Sequence, residues 1–135
     1  MTTVTLEDAK GIVAAAEAKA EEIEIPMCIS VADNGANLVS FHRMDGALLG
    51  SVDISQNKAY TSVSLESTTE EVGETAQPGA ALYGIGGTNG GRIVTFGGGI
   101  PLREGGDIVG AVGISGGSPD EDMAVAEAGV EAFEE

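Results

Sequence analysis

The chain has 135 residues with 22 acidic against 6 basic side chains, a net charge of −16. That excludes a nucleic-acid-binding role, because no basic stripe exists to neutralise phosphates. A lone cysteine, Cys28, excludes an internal disulfide and any cysteine-cluster zinc site.

Thr5-Leu6-Glu7-Asp8 opens a helix: Thr5 can cap it, and the acids of the first turn complement the dipole. Leu6, Ala9, Val13, Ala16, Ala20 and Ile23 then form one apolar face, and Pro26 stops the helix near Glu24. Residues 27–33 alternate, with Met27, Ile29 and Val31 opposite Cys28, Ser30 and Ala32. Asp33-Asn34-Gly35-Ala36-Asn37 is turn chemistry, with Asn-Gly suited to positive φ, and residues 38–44 alternate again. This predicts a hairpin. Residues 50–66 lack proline and internal glycine and read as a helix that Ser51 or Asp53 could cap. Thr68 or Thr69, followed by Glu70 and Glu71, starts a short helix that ends before Pro78. Residues 83–91 form a glycine-rich loop, and residues 92–96, 100–103 and 107–115 read as three strands. Ser118-Pro119-Asp120-Glu121 starts a last helix with the stripe Met123, Ala126, Val130 and Phe133. Short links between sequential strands predict an α+β fold. It has an antiparallel sheet of about five strands, with the first and last helices on one face and a central helix besides. There is no internal repeat or linker, so the whole chain reads as one domain.

Apolar residues make up 42% of the chain, but aromatics only 4%, with no Trp and 21 glycines, so burial rests on small side chains. Only Lys10, Lys19 and Lys58 are lysines. Repulsion among so many surface carboxylates fades when the Debye length shrinks to about 3 Å near 1 M salt. The composition therefore suggests a salt-rich cytoplasm; the alternative is an ordinary acidic protein with solvated helix faces. The first twenty residues show no signal-peptide pattern, and no apolar run approaches the ~20 residues of a membrane span. A soluble, cytoplasmic protein is expected.

Gly113-Ile114-Ser115-Gly116-Gly117 matches the G-x-S-x-G of a nucleophile elbow. In that fold the acid and histidine follow the serine, yet the one histidine here, His42, precedes it. The glycines are better read as close approach of backbone or ligand at a strand end. Gly84-Ile85-Gly86-Gly87-Thr88-Asn89 breaks the dinucleotide fingerprint at its last position, and no Gly-Lys-Ser/Thr follows a glycine run. Lys58 stands inside a helix in a chain that avoids lysine. It reads either as a solvated lysine or as one with a specific anion or carboxylate partner, Asp33, Asp45 and Asp122 being available acids. Arg43 has a similar claim. Met27, Met44 and Met123 sit at packing positions.

Two long stretches resemble a known family. "SVADNGANLVSFHRMDGALLGSVDISQNKAYTS" carries the hairpin, an Arg-Met-Asp-Gly-Ala block and a Lys-Ala-Tyr-Thr block. "GGGIPLREGGDIVGAVGISGGSPDEDMAVAEAG" carries Gly-Gly-x-Pro, Gly-Ala-x-Gly-x-Ser-Gly-Gly and Asp-x-x-x-Ala blocks. Together they resemble the GlcG/HbpS-like haem-binding family and the C-terminal part of PduO-type cobalamin adenosyltransferases. The resemblance implies a profilin-like arrangement and homo-oligomers, and it implies haem as a cofactor, with a carrier or haem-degrading role. Its motifs fall on Arg43, Asp45, Gly46, Lys58, Gly98, Pro101, Ser115, Gly116, Gly117 and Asp122. Of these, Arg43, Asp45, Lys58, Gly98, Ser115, Gly116 and Asp122 are candidate ligand-binding residues, and His42 is the candidate axial ligand of haem. Haem binding stands beside a second reading, an anion or small-acid module, catalytic or not, using Arg43 and Lys58 in a glycine-lined pocket. Neither requires a protein-bound metal ion, nucleic acid or membrane.

Overall fold

In the computed structural model, which describes residues 2–135, Thr5 caps helix α1 (Leu6–Glu22) with a reciprocal pair of bonds. The Asp8 amide donates to Thr5 Oγ1 at 3.1 Å and the Thr5 amide to Asp8 Oδ2 at 3.2 Å. The buried stripe is Ala9, Ile12, Val13, Ala16 and Ala20. Ile12 is an addition to the expected face, whereas Leu6 is half exposed. Glu24 turns left-handed (φ 59°) and releases the chain toward Pro26.

Strands β1 (Cys28–Asp33) and β2 (Leu38–Arg43) form the expected hairpin. The left-handed residue of its turn is Ala36 (φ 64°), not Gly35. Asp33 Oδ1 accepts the amides of Gly35 and Asn37, both at 2.9 Å, and this Asx-type bonding sets the turn.

Helix α2 (Gly50–Leu65) follows, then α3 (Thr69–Thr75), β3 (Gly99–Glu104), β4 (Asp107–Ser115) and α4 (Pro119–Glu134). Thr68 caps α3 and Ser118 caps α4, each with a glutamate three residues on closing the box. Neither Ser51 nor Asp53 caps α2: Leu49 before it is already helical. Ser51 instead accepts a bond from Ser115, and Asp53 accepts one from Asn57.

The sheet is fully antiparallel in the order β2-β1-β4-β3. It has four strands rather than about five, because residues 92–96 form no ladder. Their polar groups are taken by helices. Thr61 Oγ1 on α2 accepts the Val94 amide at 3.0 Å and shares its one hydrogen between the Asn57 carbonyl at 2.8 Å and the Arg92 carbonyl at 3.1 Å. The Thr95 carbonyl packs on Gly73 of α3, where a Cβ would collide with it.

α1 and α4 pack together on one face of the sheet, as expected, over Ile29, Val31, Val112 and Ile114. α2 covers the other face. There the two central strands offer small side chains, Cys28, Ser30 and Ala32 on β1 and Ala111, Gly113 and Ser115 on β4, with Phe41 and Arg43 of the edge strand β2 beside them. α2 answers with Ser51, Ser55 and Ala59, and Ser30 Oγ and Ser55 Oγ are 2.9 Å apart. At Gly113 the helix backbone lies on the strand: an added Cβ would clash with the Ser55 carbonyl and stand 2.7 Å from the Ala59 nitrogen. This close approach brings Lys58 into the protein interior.

Candidate functional site

Lys58 is fully buried. Its Nζ donates to the Ile114 carbonyl at 2.7 Å and to Asp122 Oδ2 at 3.0 Å, and it lies 5.0 Å from the centre of the Phe96 ring. Asp122 projects from the first turn of α4, and its Oδ1 accepts the Gly117 amide at 2.8 Å. Of the three acids available to Lys58, the fold selects Asp122. Burial lowers the Lys58 pKa and raises that of Asp122, and each partner's charge offsets part of the other's shift. Gly98, with φ of 133°, leaves the room this requires: a Cβ there would stand 2.5 Å from Lys58 Nζ.

Above the pair lies a pocket of about 180 Å³. Ser115, Gly116, Gly117 and Asp122 line it below, and Leu48, Ile54 and Phe96 line it with apolar surface. Leu48 is 66% and Phe96 44% exposed. Ser115 ends β4 and its Oγ donates to Ser51 Oγ at 3.0 Å. The imidazole is elsewhere. Cross-strand register pairs His42 with Ile29 and Ile29 with Ile114, placing His42 on the α1 side of the sheet and Ser115 on the α2 side.

His42, Arg43 and Asp45 make a second place, at the end of the edge strand β2. His42 Nδ1 is 3.1 Å from Glu17 Oε1 of α1, and the imidazole is 54% exposed. A carboxylate only accepts, so Nδ1 carries the hydrogen. In the neutral ring Nε2 then keeps its lone pair, with no partner among the described residues. Arg43 Nη2 donates weakly to the Ala47 carbonyl at 3.4 Å. Arg43, Met44 and Asp45 border two open cavities of about 250 and 380 Å³, the larger also touching Glu17 and Glu21.

One row of the sheet links the two places: Cys28 pairs with Arg43 on one side and Ser115 on the other. Two interstrand spacings put these neighbours roughly 10 Å apart. Burial raises the Cys28 thiol pKa, with the Arg43 charge offsetting part of the shift. Arg43 and Lys58 share no pocket and no bond. The fold therefore brings Lys58, Gly98, Ser115, Gly116 and Asp122 together and leaves His42, Arg43 and Asp45 apart. Sequence reasoning missed Glu17, Ser51 and Phe96. Only Phe96 carried a signal, as an aromatic residue beside three glycines in a chain poor in aromatics. Among the described residues, no three His, Cys, Asp or Glu side chains gather to hold a metal ion. Among the same residues no helix is long and apolar enough to cross a membrane.

A four-stranded antiparallel sheet clad on both faces, with a glycine-lined pocket above a buried lysine–carboxylate pair, defines a small α+β domain built around its central helix. The chain belongs to the HbpS-like family: the family model described as "Haem degrading protein HbpS-like" matches residues 4–131. It is 47% identical to an uncharacterized 15.0 kDa protein of the dhaT-dhaS intergenic region of Citrobacter freundii, covering 100% of this chain and 95% of that one. Protein ORFY of Klebsiella pneumoniae superposes with a TM-score of 0.97 at 42% identity, over 99% of this chain and 92% of that one. A PduOC–haem complex superposes with a TM-score of 0.93 at 36% identity, over 96% and 94%.

Proposed function

We propose that this protein binds haem, as carrier or degrader, and that His42 supplies an axial ligand. The observation that carries this reading is the Glu17–His42 pair. A ligating imidazole commonly donates its other nitrogen to a carboxylate, which fixes the tautomer and raises ligand basicity. Haem would supply a redox-active iron, and this chain would contribute His42 Nε2 to hold it and Glu17 to aim the ring. The HbpS-like family and the haem complex of a relative support the same ligand.

Hemin titration in molar KCl tests the proposal. The wild type should give a saturable Soret shift. His42→Ala should change the position of that band with unaltered circular dichroism. Glu17→Gln should weaken binding, by up to about 10–100-fold on the scale seen for such supporting carboxylates. No shift in the wild type, or an unchanged spectrum in His42→Ala, would refute the assignment of His42.

A second reading rests on the pocket that Ser115, Gly116 and Asp122 line beneath the exposed Leu48 and Phe96. Its small, partly apolar volume suits the edge of a ligand lying across these two side chains. Lys58 would act there by holding Asp122, without touching the ligand. A hemin shift that survives His42→Ala and is lost in Phe96→Ser would favour this place.

A further inference from the structure

Beside the middle of α2 lies a cleft of about 370 Å³ between that helix and the β1–β2 turn. It is within the size range of small-molecule sites, about 300–1,000 Å³. Its walls include Ala36, Leu38 and Ala59 on the apolar side and Gln56, Tyr60 and Arg92 on the polar side. The Arg92 guanidinium carbon sits 3.6 Å from the centre of the Tyr60 ring. Such a stack fixes the plane of the guanidinium and leaves its N–H edges open.

Both members of the stack are anchored. Tyr60 Oη donates to Asn89 Oδ1 at 2.7 Å, and the Arg92 carbonyl is held by Thr61 on α2. Yet among the described residues the guanidinium makes no hydrogen bond and no ion pair. This is so in a chain with 22 carboxylate side chains. No carboxylate of the described residues lines the cleft, whereas the pocket over Lys58 contains Asp122 and the cavities beside Arg43 contain Asp45. A non-glycine left-handed residue, Ala36 (φ 64°), lines this cleft, and another, Asn89 (φ 52°), outside its lining, holds the Tyr60 hydroxyl. Strained backbone of this kind gathers at ligand clamps.

We infer that the Arg92–Tyr60 cleft binds a small monocarboxylic acid with an apolar body. The carboxylate would take the fork of N–H donors on Arg92. The body would lie against Ala36, Leu38 and Ala59, and Gln56 would remain to meet a further polar group. One guanidinium neutralises one negative charge, and no second base lines the cleft to match a phosphate dianion. This site is separate from His42 and from the pocket over Lys58, and it stands whether or not haem binds.

Benzoate is the probe, with benzamide as its neutral isostere and inorganic phosphate as the competing anion. Titrations are run in molar KCl, which screens the repulsion of the acidic chain. Benzoate should bind saturably and move the NMR signals of Arg92, Tyr60 and Ala59, and benzamide should bind at least tenfold more weakly. Arg92→Gln should weaken benzoate roughly ten- to hundredfold, the usual worth of a charged hydrogen bond. Leu38→Asp, at a half-exposed position on an edge strand, should abolish binding by setting an acid on the apolar wall. Thermal unfolding of both variants checks that they remain folded. Equal binding of benzamide, or undiminished benzoate binding by folded Arg92→Gln, would overturn the site. Phosphate binding more tightly than benzoate would overturn the monocarboxylate assignment.

Discussion

Replacing Lys58 by methionine puts the buried ion pair to its most direct test. Its charged atoms are 3.0 Å apart, and the two side chains are 0% and 3% exposed. At that separation the attraction is about 5 kcal/mol for an effective dielectric of about 20. Desolvation costs several kcal/mol per ion, so the intact pair contributes little net stability. Lys58→Met removes the attraction, leaves the Asp122 charge buried and takes the Nζ donor from the Ile114 carbonyl. The expected loss is about 3–5 kcal/mol, a large share of the ~5–15 kcal/mol that stabilises a domain. Adding Asp122→Asn removes the stranded charge and should recover most of it. The pH dependence has a defined sign. Asp122 is raised above its ordinary 3.8, so its contribution is full below 3.8 and is lost as pH rises through the folded value. Lys58 is lowered from 10.5, so its contribution is full above 10.5 and is lost as pH falls through the folded value. Between these limits the doubly charged pair is the costliest form. Without the ammonium Asp122 is raised further, so the gap between Lys58→Met and wild type should narrow as pH falls through that raised value. Urea unfolding in molar KCl, followed by circular dichroism across pH, measures this. A loss under about 1 kcal/mol, the scale of an exposed pair, would refute the reasoning, as would a double variant no more stable than the single.

Gly113→Ala forces a methyl group against the Ser55 carbonyl and should cost about 1–3 kcal/mol or more in urea unfolding. Gly11→Ala, in α1 with nothing within 4 Å of the new Cβ, should instead stabilise by up to about 1 kcal/mol. Melting temperature should rise steeply from millimolar to molar KCl if the −16 charge is an adaptation to salt. Sedimentation at the upper end of that series should show an oligomer, and full stability at low salt or a monomer at high salt would count against those expectations.

The elements that could be read from sequence are those whose signals are local. Thr5, Thr68 and Ser118 each cap a helix through bonds spanning three residues, and all three helix starts are found where expected. Asp33 builds its turn the same way, although the bonding moves positive φ from Gly35 to Ala36. The failures are tertiary. Arg-Ile-Val-Thr-Phe has every local mark of a strand, but Thr61, thirty-one residues earlier, captures its backbone at Arg92. The α2 cap failed likewise: Ser51 is an ordinary capping residue drawn away by Ser115, sixty-four positions on.

The site was legible where composition made a residue conspicuous and illegible where pairing needed the fold. A lysine in a chain with only three suggested a partner, and Asp122 was among the acids considered, but nothing local distinguishes it from Asp120 in the same helical turn. Its inward position follows from α4 crossing the sheet with Ala126 and Gly129 turned to the core. Glu17 and His42 meet only because α1 reaches the edge strand. The glycines follow the composition, which puts small residues in the core: Gly98, Gly99 and Gly113 are buried, and an added Cβ at each would stand under 3.0 Å from an atom of α2. A Cβ on Gly98 would meet Lys58 Nζ, one on Gly99 would stand 2.7 Å from the Lys58 carbonyl, and one on Gly113 would meet the backbone a turn earlier. These three glycines are shaped by the helix that carries Lys58. That fit makes the buried lysine, rather than the serine of the G-x-S-x-G match, the residue around which this end of the sheet is built.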